Sequence, residues 1–369
     1  MNNIFETSEI EKRLFSYAEC NRQPIYGGFE LTPYCNFSCK MCYVFETKKN
    51  LPLLTGEQWL KFGKQAAEDG TMCIVLTGGE PLLHPDFKMI YKGLKKLGMI
   101  LTINTNGSLI NEEMADFLAA DIPRRVNLSL YGPNEDIYAK LCGNPDGFTK
   151  TIRAIELMKE RNIPVKINIV PNKINYPYLD EMLDICKKYN LAIEMTTYLF
   201  EPIRKSDSVQ QLYRLSPAEM AEAHLKWDRY RFNQEEMIAR AILCHQGLET
   251  FDSSRQTLET TSLRCHAGSS SFWLCWNGKM NPCVNMIHPE TDVKKLGFAN
   301  AWEIVKEEGE KIRVPAKCST CSLRMFCNSC AAIGFHQNSR FEEVPEIMCQ
   351  ATEHYAKLLA QTIKKVEKH

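Results

Sequence analysis

The chain has 369 residues, and its 45 lysines and arginines balance 45 aspartates and glutamates, so the formal net charge is zero. This balance gives no electrostatic reason to expect nucleic acid or a membrane surface as a partner. No run of roughly eighteen apolar residues occurs, and the charged N-terminus lacks the apolar core of a secretion signal. We therefore expect a cytoplasmic protein without a transmembrane helix.

The first two hundred residues alternate short apolar runs with amphipathic segments. Six alternating units predict a parallel sheet with right-handed crossovers. Six units are too few for a closed eight-stranded barrel but enough for a partial, TIM-like (β/α)6 barrel of the α/β class. The strands are predicted at residues 28–34, 72–79, 99–107, 125–132, 164–172 and 191–200, and the helices at 55–70, 86–97, 111–119, 148–161 and 178–189.

The rest of the chain has a different composition. A helix is predicted from Ser216, with Glu219 at the capping-box spacing, towards residue 243. The following segment is rich in cysteine, glycine, asparagine and proline, so we expect a small irregular domain whose folding energy comes largely from metal binding. The predicted division is an N-terminal extension, 1–26; the barrel, 27–243; the cysteine-rich domain, 244–350; and a C-terminal helix, 351–369.

Sixteen cysteines are unusual for a cytoplasmic chain. In a reducing compartment, clustered cysteines are more often metal ligands than disulfides. Most of them fall into two groups, one from Cys35 to Cys42 and one from Cys265 to Cys349.

The first group directly follows the first predicted strand. Cys35, Cys39 and Cys42 have the spacing CX3CX2C, and no fourth ligand follows in the same loop. Four thiolates would fill the four irons of a [4Fe–4S] cluster, so three leave one iron free for a non-protein ligand. A tetrahedral zinc site is the alternative, and it would need a remote fourth ligand such as His84.

Two further motifs follow the next two strands. GGEP occupies residues 78–81, after the second strand, and TNG occupies residues 105–107, after the third. Loops at the carboxyl ends of parallel barrel strands share one edge, where catalytic residues gather. We therefore expect both motifs to lie beside the cysteine loop.

With these motifs, residues 28–230 resemble the radical S-adenosylmethionine (SAM) superfamily. The resemblance implies a [4Fe–4S] cluster, held by Cys35, Cys39 and Cys42, whose open iron binds SAM. An electron from the cluster then cleaves SAM, and the resulting 5′-deoxyadenosyl radical abstracts a hydrogen atom from the substrate.

The resemblance also implies SAM contacts. The glycines and carboxylate of GGE suit the methionine amine, and Ser129 matches a position that contacts the ribose. Met41 replaces a common aromatic residue before the third cysteine, and Asn106 either lines the same edge or belongs to a simple Asn-Gly turn. The usual arginine after the fourth strand is absent, which leaves Arg204 as a candidate for the SAM carboxylate. The predicted cofactor contacts are Met41, Thr77, Gly78, Gly79, Glu80, Asn106, Ser129 and Arg204.

The second cysteine group resembles the SPASM domain, which holds two auxiliary [4Fe–4S] clusters. The last spacing, CX2C at Cys327 and Cys330, departs from the usual CX3C and could open one site. A pair of zinc ribbons is the alternative. The resemblance assigns one cluster to Cys265, Cys275, Cys283 and Cys330, and the other to Cys318, Cys321, Cys327 and Cys349.

Five cysteines remain outside these sets: Cys20, Cys73, Cys142, Cys186 and Cys244. Most are expected to be small buried hydrophobic residues. Cys142 is predicted to lie in a loop near the SAM edge, where it could donate a hydrogen atom or contact substrate. Cys244 is a second candidate for hydrogen donation.

Relatives with SPASM domains mostly modify peptides or proteins, so the leading hypothesis is a peptide maturase that forms a thioether or another crosslink. A peptide epimerase, a small-molecule or tetrapyrrole enzyme and a non-enzymatic zinc scaffold are the alternatives. A sulfatase-maturing oxidase would carry an aspartate after Cys283, where this chain has Val284. The implied partners are a peptide or protein substrate and a flavodoxin- or ferredoxin-type electron donor. The roughly 26 residues before the first strand are expected to be too few for a leader-recognition domain, so any leader would be read by a separate leader-recognition protein or by the barrel itself.

Overall fold

The computed structural model describes residues 9–44, 51–202, 210–251, 259–263 and 265–366. Its main sheet has nine strands in the order β10-β9-β8-β1-β2-β3-β4-β5-β6. The strands of the chain are β1 (Tyr26–Glu30), β2 (Cys73–Thr77), β3 (Ile100–Thr105), β4 (Arg125–Ser129), β5 (Val165–Ile169), β6 (Ala192–Met195), β7 (Thr260–Ser262), β8 (Ser271–Leu274), β9 (Lys279–Asn281), β10 (Thr291–Asp292) and β11 (Arg313–Pro315).

Helices connect the parallel strands β1 to β6, so the predicted α/β partial barrel is confirmed. The helices are α1 (Glu9–Cys20), α2 (Gly56–Glu68), α3 (Phe87–Lys96), α4 (Glu112–Ala119), α5 (Glu135–Cys142), α6 (Gly147–Glu160), α7 (Leu179–Lys188), α8 (Pro217–Arg231), α9 (Gln234–Glu249), α10 (Val293–Leu296), α11 (Phe298–Lys311), α12 (Ala331–Asn338) and α13 (Glu346–Val366). Among the described residues, no helix is both long and apolar enough to cross a membrane.

The outer face of the sheet carries the main core. Strand side chains alternate between faces, and the residues that point outward pack beneath the connecting helices. Phe29 of β1, for example, contacts Trp59 of α2 with ring centroids 5.1 Å apart, and both side chains are fully buried. This packing holds the carboxyl ends of β1 to β6 in fixed register, and the site described below lies at those ends.

The cysteine-rich segment contributes more regular structure than its composition predicts. β8 extends the sheet by pairing in parallel with β1, and Phe272 of β8 contacts Phe298 of α11 at 4.9 Å between ring centroids. Phe298 and Trp302 are buried in the same core as the barrel. Part of this segment is therefore anchored by apolar packing as well as by whatever its cysteines bind.

The long helix expected from Ser216 is two helices. α8 has the predicted capping box between Ser216 and Glu219. It ends at Arg231, and α9 begins with a second capping box between Asn233 and Glu236. The side chain of Asn233 accepts a hydrogen bond from the backbone of the next helix, so it favours a new helix start over continuation.

Candidate active site

The cysteine loop is held against the end of α5. Ser38 N donates to the carbonyl oxygen of Cys142 at 2.8 Å, and Lys40 N donates to that of Leu141 at 2.9 Å. α5 ends at Cys142 and is capped by Gly143, whose φ of 66° lies in the left-handed region that favours glycine. The last turn of this helix therefore fixes the path of the loop.

The three thiols of the loop lie within electrostatic range of one another. Burial and, to a smaller extent, the neighbouring thiols of Cys39 and Cys35 raise the pKa of Cys42 to about 12. Burial also raises the pKa of Cys35 to about 12. Because a metal binds the thiolate, loading this loop must release protons.

Two side chains contact Cys39 directly. A hydrogen bond with the thiol of Cys142 is the main cause that raises the pKa of Cys39, and Tyr131 makes a second hydrogen bond to it. Ser129 hydrogen-bonds Tyr131 in turn, so the predicted ribose contact is linked to the cysteine loop. Sequence reasoning missed Tyr131, although its position two residues after Ser129 places it on the same strand face.

The structure corrects the expected setting of Cys142. It is the last residue of α5 and is fully buried, whereas we expected it in an accessible loop. The sequence RVNLSLYGPNEDIYAKLC carries its helix signal in Asn134, which caps α5 by accepting from Ile137 N. A role for Cys142 as hydrogen donor stays a prediction, and its burial argues against direct contact with substrate.

The GGE segment approaches the first strand closely. Gly79 N donates to the carbonyl oxygen of Thr32 at 2.7 Å, and Glu80 N donates to that of Tyr34 at 2.8 Å. A Cβ atom on Gly78 would lie 2.5 Å from Thr32 O, and one on Gly79 would lie 2.3 Å from Tyr34 O. Only glycine fits at both positions, so this pair of residues aligns the second loop beside the cysteine loop.

Glu80 is fully buried and joins two loops. Its carboxylate accepts from Thr105 Oγ1 at 2.7 Å, Asn106 N at 2.8 Å and Leu82 N at 3.1 Å. Burial raises its pKa to about 7, although these hydrogen bonds oppose the shift. Here the side chain acts as a positioning group, and its contact with an ammonium group stays a prediction.

Asn106 connects this network to the cysteines. Its Nδ2 donates one hydrogen bond to Asn36 Oδ1 at 2.9 Å and a second to Cys35 Sγ at 3.8 Å. The Asn-Gly pair does form a turn, but the side chain of Asn106 is buried and contacts the predicted cluster loop.

Met41 and Thr77 lie at the same edge. Met41 is buried, and its Sδ accepts from Asn172 Nδ2 at 3.1 Å. Thr77 ends β2, and its carbonyl oxygen accepts from Leu31 N at 2.8 Å. Arg204 lies outside the described residues, so the cation predicted for the SAM carboxylate has no structural account.

The C-terminal cysteines divide into two neighbourhoods. Burial and, to a smaller extent, the thiols of Cys265 and Cys330 raise the pKa of Cys283 to about 12. Cys275 is buried, and its thiol donates to Asn281 Oδ1 at 3.6 Å. Cys330 is thus near Cys265 and Cys283 in space, although its nearest cysteine in sequence is Cys327.

The second neighbourhood contains the other four cysteines. Burial raises the pKa of Cys349 to about 12, and the thiols of Cys327, Cys318 and Cys321 contribute in the same direction. Cys349 lies on α13, whereas the other three lie on or beside short 3-10 turns. Cys265, Cys283 and Cys330 belong to one implied ligand set, and Cys318, Cys321, Cys327 and Cys349 belong to the other. Ligation by these residues, and by Cys275, stays a prediction.

Cys244 belongs to none of the three thiol groups, although Cys321 packs against the same hydrophobic cluster. It is fully buried on α9 in a cluster that includes Leu323, Phe326 and Tyr355. Burial raises its pKa to about 12. Its location is that of a structural core cysteine, and hydrogen donation by this thiol stays a prediction.

The donor chemistry fits clusters held by several thiolates. Within the described ranges, no three His, Cys, Asp or Glu side chains converge closely enough to hold one metal ion. Electrostatic interactions instead link the thiols into two groups of three and one group of four, and neutral thiols of this kind lose their protons when iron binds. Cys35, Cys39 and Cys42 could hold a cluster beside the GGE segment.

Comparison with protein families identifies the N-terminal part of this arrangement. Residues 29–191 match the radical SAM superfamily model. The chain is 25% identical over 338 residues to the AdoMet-dependent heme synthase of Methanosarcina barkeri, which covers 86% of this chain and 94% of that protein. It is 24% identical to the sporulation killing factor maturation protein SkfB of Bacillus subtilis, over 70% of this chain and 60% of SkfB.

Solved structures share the fold. The enzyme anSMEcpe with bound AdoMet superposes with a TM-score of 0.70 at 17% identity, covering 93% of this chain and 95% of that one. SuiB of Streptococcus suis bound to its precursor peptide SuiA superposes with a TM-score of 0.63 at 17% identity, covering 94% of this chain and 83% of that one. The likeness extends through the cysteine-rich segment as well as the radical SAM domain.

Proposed function

We propose that this protein is a radical SAM enzyme that cleaves SAM reductively and removes a hydrogen atom from a peptide substrate. The product is a thioether or another crosslink in a ribosomally made peptide. The observation that carries the proposal is the convergence of Cys35, Cys39 and Cys42 with the GGE segment in a radical SAM domain. When bound, the cluster and SAM supply the 5′-deoxyadenosyl radical.

The surrounding residues would hold these groups in place. Cys35, Cys39 and Cys42 would ligate the cluster, and the backbone of the Gly78–Glu80 segment would contact SAM. Glu80 would keep the β2 and β3 loops together, since its carboxylate binds donors from both. Tyr131 would orient Cys39 through the hydrogen bond between them.

Two auxiliary [4Fe–4S] clusters form the second part of the proposal. Cys265, Cys275, Cys283 and Cys330 would hold one, and Cys318, Cys321, Cys327 and Cys349 would hold the other. Full ligation by four thiolates leaves no open iron, so these clusters would carry electrons rather than bind substrate. A flavodoxin- or ferredoxin-type protein would supply the electron for SAM cleavage.

The peptide substrate is supported by two relatives. SkfB is a maturation protein, and SuiB has been solved with a precursor peptide. A separate leader-recognition protein would present the peptide.

A second candidate is a tetrapyrrole or other small-molecule substrate. The similarity to an AdoMet-dependent heme synthase extends over 86% of this chain, further than the similarity to SkfB. This observation favours chemistry on a porphyrin-type substrate, with the same radical generator.

Metal and SAM analysis tests the radical chemistry. Anaerobically reconstituted protein should contain about twelve irons and twelve sulfides per chain and should convert SAM to 5′-deoxyadenosine once reduced. A Cys35→Ala, Cys39→Ala and Cys42→Ala variant should retain about eight irons and lose this conversion. A triple variant at Cys20, Cys73 and Cys186 is the matched control. SAM conversion by the first variant at the wild-type rate would refute the proposal, and zinc without iron would favour a scaffold.

Mass spectrometry separates the possible products. A peptide that loses two hydrogens indicates a crosslink or an oxidation, whereas unchanged mass with solvent deuterium uptake indicates epimerisation. A change in the absorption spectrum of an added iron porphyrin, with no change in peptide, would favour the tetrapyrrole reading.

A further inference from the structure

The inner face of the sheet, opposite the helices, is polar. Side chains alternate along β4 and β5, so Val126, Leu128 and Ile167 point into the buried core. Asn127 and Asn168 therefore point to the concave side.

Strand register arranges these side chains in rows below the cysteine loop. Ser129 pairs with Asn168, and Asn168 pairs with Glu194 of β6, in the row nearest the loop. The next row contains Asn104, Asn127 and Lys166, and the row beneath it contains Thr102 and Arg125. At about 3.3 Å per residue, Arg125 lies roughly 13 Å along the strand from Ser129.

Two cations lie close together in the lower rows. Burial lowers the pKa of Lys166, and the nearby charge of Arg125 lowers it further. Lys166 Nζ lies 3.3 Å from Glu194 Oε2, but the side chain of Glu194 is 52% exposed. Among the described residues, Arg125 makes no ion pair, and its buried Nε has no hydrogen-bond partner. The local charge is therefore positive and incompletely compensated.

Neighbouring amides are also incompletely satisfied. Asn127 is only 7% exposed, and its Nδ2 donates to Asn104 Oδ1 at 2.8 Å. Its Oδ1 is buried without a partner, as is Oδ1 of Asn168. Buried polar atoms in native proteins almost always have partners, so unpaired atoms on one face indicate a missing polar ligand.

Acidic side chains of the protein do not supply this missing polar ligand. Glu30, at the far end of the middle row, accepts from Trp273 Nε1 at 3.2 Å and lies near Cys42. Among the described residues, Glu194 is the one carboxylate that pairs with either cation, and it is largely solvated. Exposed ion pairs of this type contribute little free energy, so a ligand carboxylate could compete with it.

We propose that Arg125 and Lys166 bind a carboxylate of the substrate on the inner face, with Asn127 and Asn168 hydrogen-bonding polar groups next to it. This inference rests on the proposed function and narrows its substrate class. The carboxylate could be an acidic side chain or the C-terminus of a peptide, or a propionate of a tetrapyrrole. Arginine suits this role because its planar guanidinium matches a carboxylate in two parallel hydrogen bonds.

Calorimetry with glutarate and its neutral analogue glutaramide tests the charge preference on the full-length, reconstituted protein. Wild type should bind glutarate at least tenfold more tightly than glutaramide. Arg125→Gln and Lys166→Gln should each reduce glutarate affinity at least tenfold, whereas Lys96→Gln, on the exposed end of α3, should not. Equal affinity of wild type and Arg125→Gln for glutarate, or equal binding of glutaramide, would overturn the proposal.

Two controls keep this result interpretable. Since Arg125 has no ion pair to lose, Arg125→Gln should not lower the thermal unfolding midpoint. Arg125→Lys, which keeps the charge, should retain more affinity for glutarate than Arg125→Gln.

Hemin and a glutamate-containing hexapeptide, each compared with an amidated analogue, distinguish the two sources of carboxylate. Absence of SAM cleavage in wild type would refute the proposed function, whereas unchanged glutarate binding by a wild-type protein and its variants would refute this site alone.

Discussion

The two regions that carry cysteine groups are held by different kinds of contact. In the first, Ser38 N and Lys40 N bond to the end of α5, about one hundred residues away in sequence. In the second, the backbone bonds from Arg324 N to Cys321 O and from Cys327 N to Arg324 O close single turns of the same loop, and one side-chain bond, from Ser322 Oγ to Gly247 O at 2.8 Å, reaches another element. Long-range bonds fix a loop relative to the fold, whereas turn bonds fix only its local shape.

This difference indicates that the first loop is preorganised by the protein and that the second depends more on its ligand. A preorganised loop loses little conformational entropy when a cluster binds. A segment of short turns loses that conformational entropy only when the metal binds, so it should be ordered with metal and less ordered without it. The anchor of the second region is then α13, which carries Cys349 and packs against α8 and α9.

The largest expected effect comes from removing one ligand in each region. Cys318→Ala and Cys35→Ala should each lower the iron content from about twelve to about eight per chain. Hydrogen exchange should then differ between them: Cys318→Ala exposes the amides of residues 316–330, whereas Cys35→Ala leaves Ser38 and Lys40 protected. Equal loss of protection at both loops would contradict the proposed difference in preorganisation.

The next-largest expected effect comes from removing the buried carboxylate of Glu80, beside the first loop. Glu80→Ala would leave donors on Leu82, Thr105 and Asn106 without a partner, and each buried orphan costs about 1–3 kcal/mol. We expect the free energy of unfolding to fall by roughly 3 to 5 kcal/mol in urea titrations. Glu57→Ala, at an exposed position of α2, is the control and should change it by less than about 1 kcal/mol. A small effect of Glu80→Ala would mean that these loops are held by the glycine contacts alone.

The sequence predicted the first region better than the second. The six barrel strands and most of their helices follow from local periodicity, and the CX3CX2C and GGE motifs follow from their positions after strands. The pairing of β8 with β1 could not be predicted, because it joins segments more than two hundred residues apart and no local pattern encodes that register. The contacts of Tyr131 and Arg125 depend on this tertiary arrangement as well, whereas the break before α9 was readable from Asn233 and Glu236.

The stability of the contact between α13, which anchors the second region, and α8 should depend on pH. His224 is nearly buried, stacks on Tyr355 at 4.3 Å between ring centroids and lies beside Asp228. Burial lowers its pKa from 6.5 to about 4, so between these values the unfolded chain binds a proton that the folded chain does not. The contribution of His224 to stability should therefore be lost as pH falls from 6.5 to 4, by up to roughly 3 kcal/mol.

His224→Phe keeps the aromatic stacking without the titrating group. Urea titrations at pH 7 and pH 5 should show a smaller difference for this variant than for wild type. The lowered pKa of Asp228 acts below its usual range and so does not contribute to this window. Burial raises the pKa of Glu80 to about 7, so Glu80 adds stability as pH falls through the same window, and only the difference between wild type and His224→Phe isolates His224. An equal pH dependence of wild type and His224→Phe would show that folding does not lower the pKa of His224.

The smallest expected effect separates side-chain from backbone support of the first loop. Cys142→Ala removes the thiol that hydrogen-bonds Cys39 but keeps the carbonyl group that accepts from Ser38 N. We expect a loss of about 1 kcal/mol in stability and unchanged exchange protection at Ser38, because the carbonyl makes that bond. Gly143→Ala is the informative partner variant, since alanine at a φ of 66° is strained and should loosen the end of α5 itself. Greater loss of protection in Cys142→Ala than in Gly143→Ala would assign the support to the thiol pair, and the loop would then depend on its cysteines in the same way as the C-terminal region does.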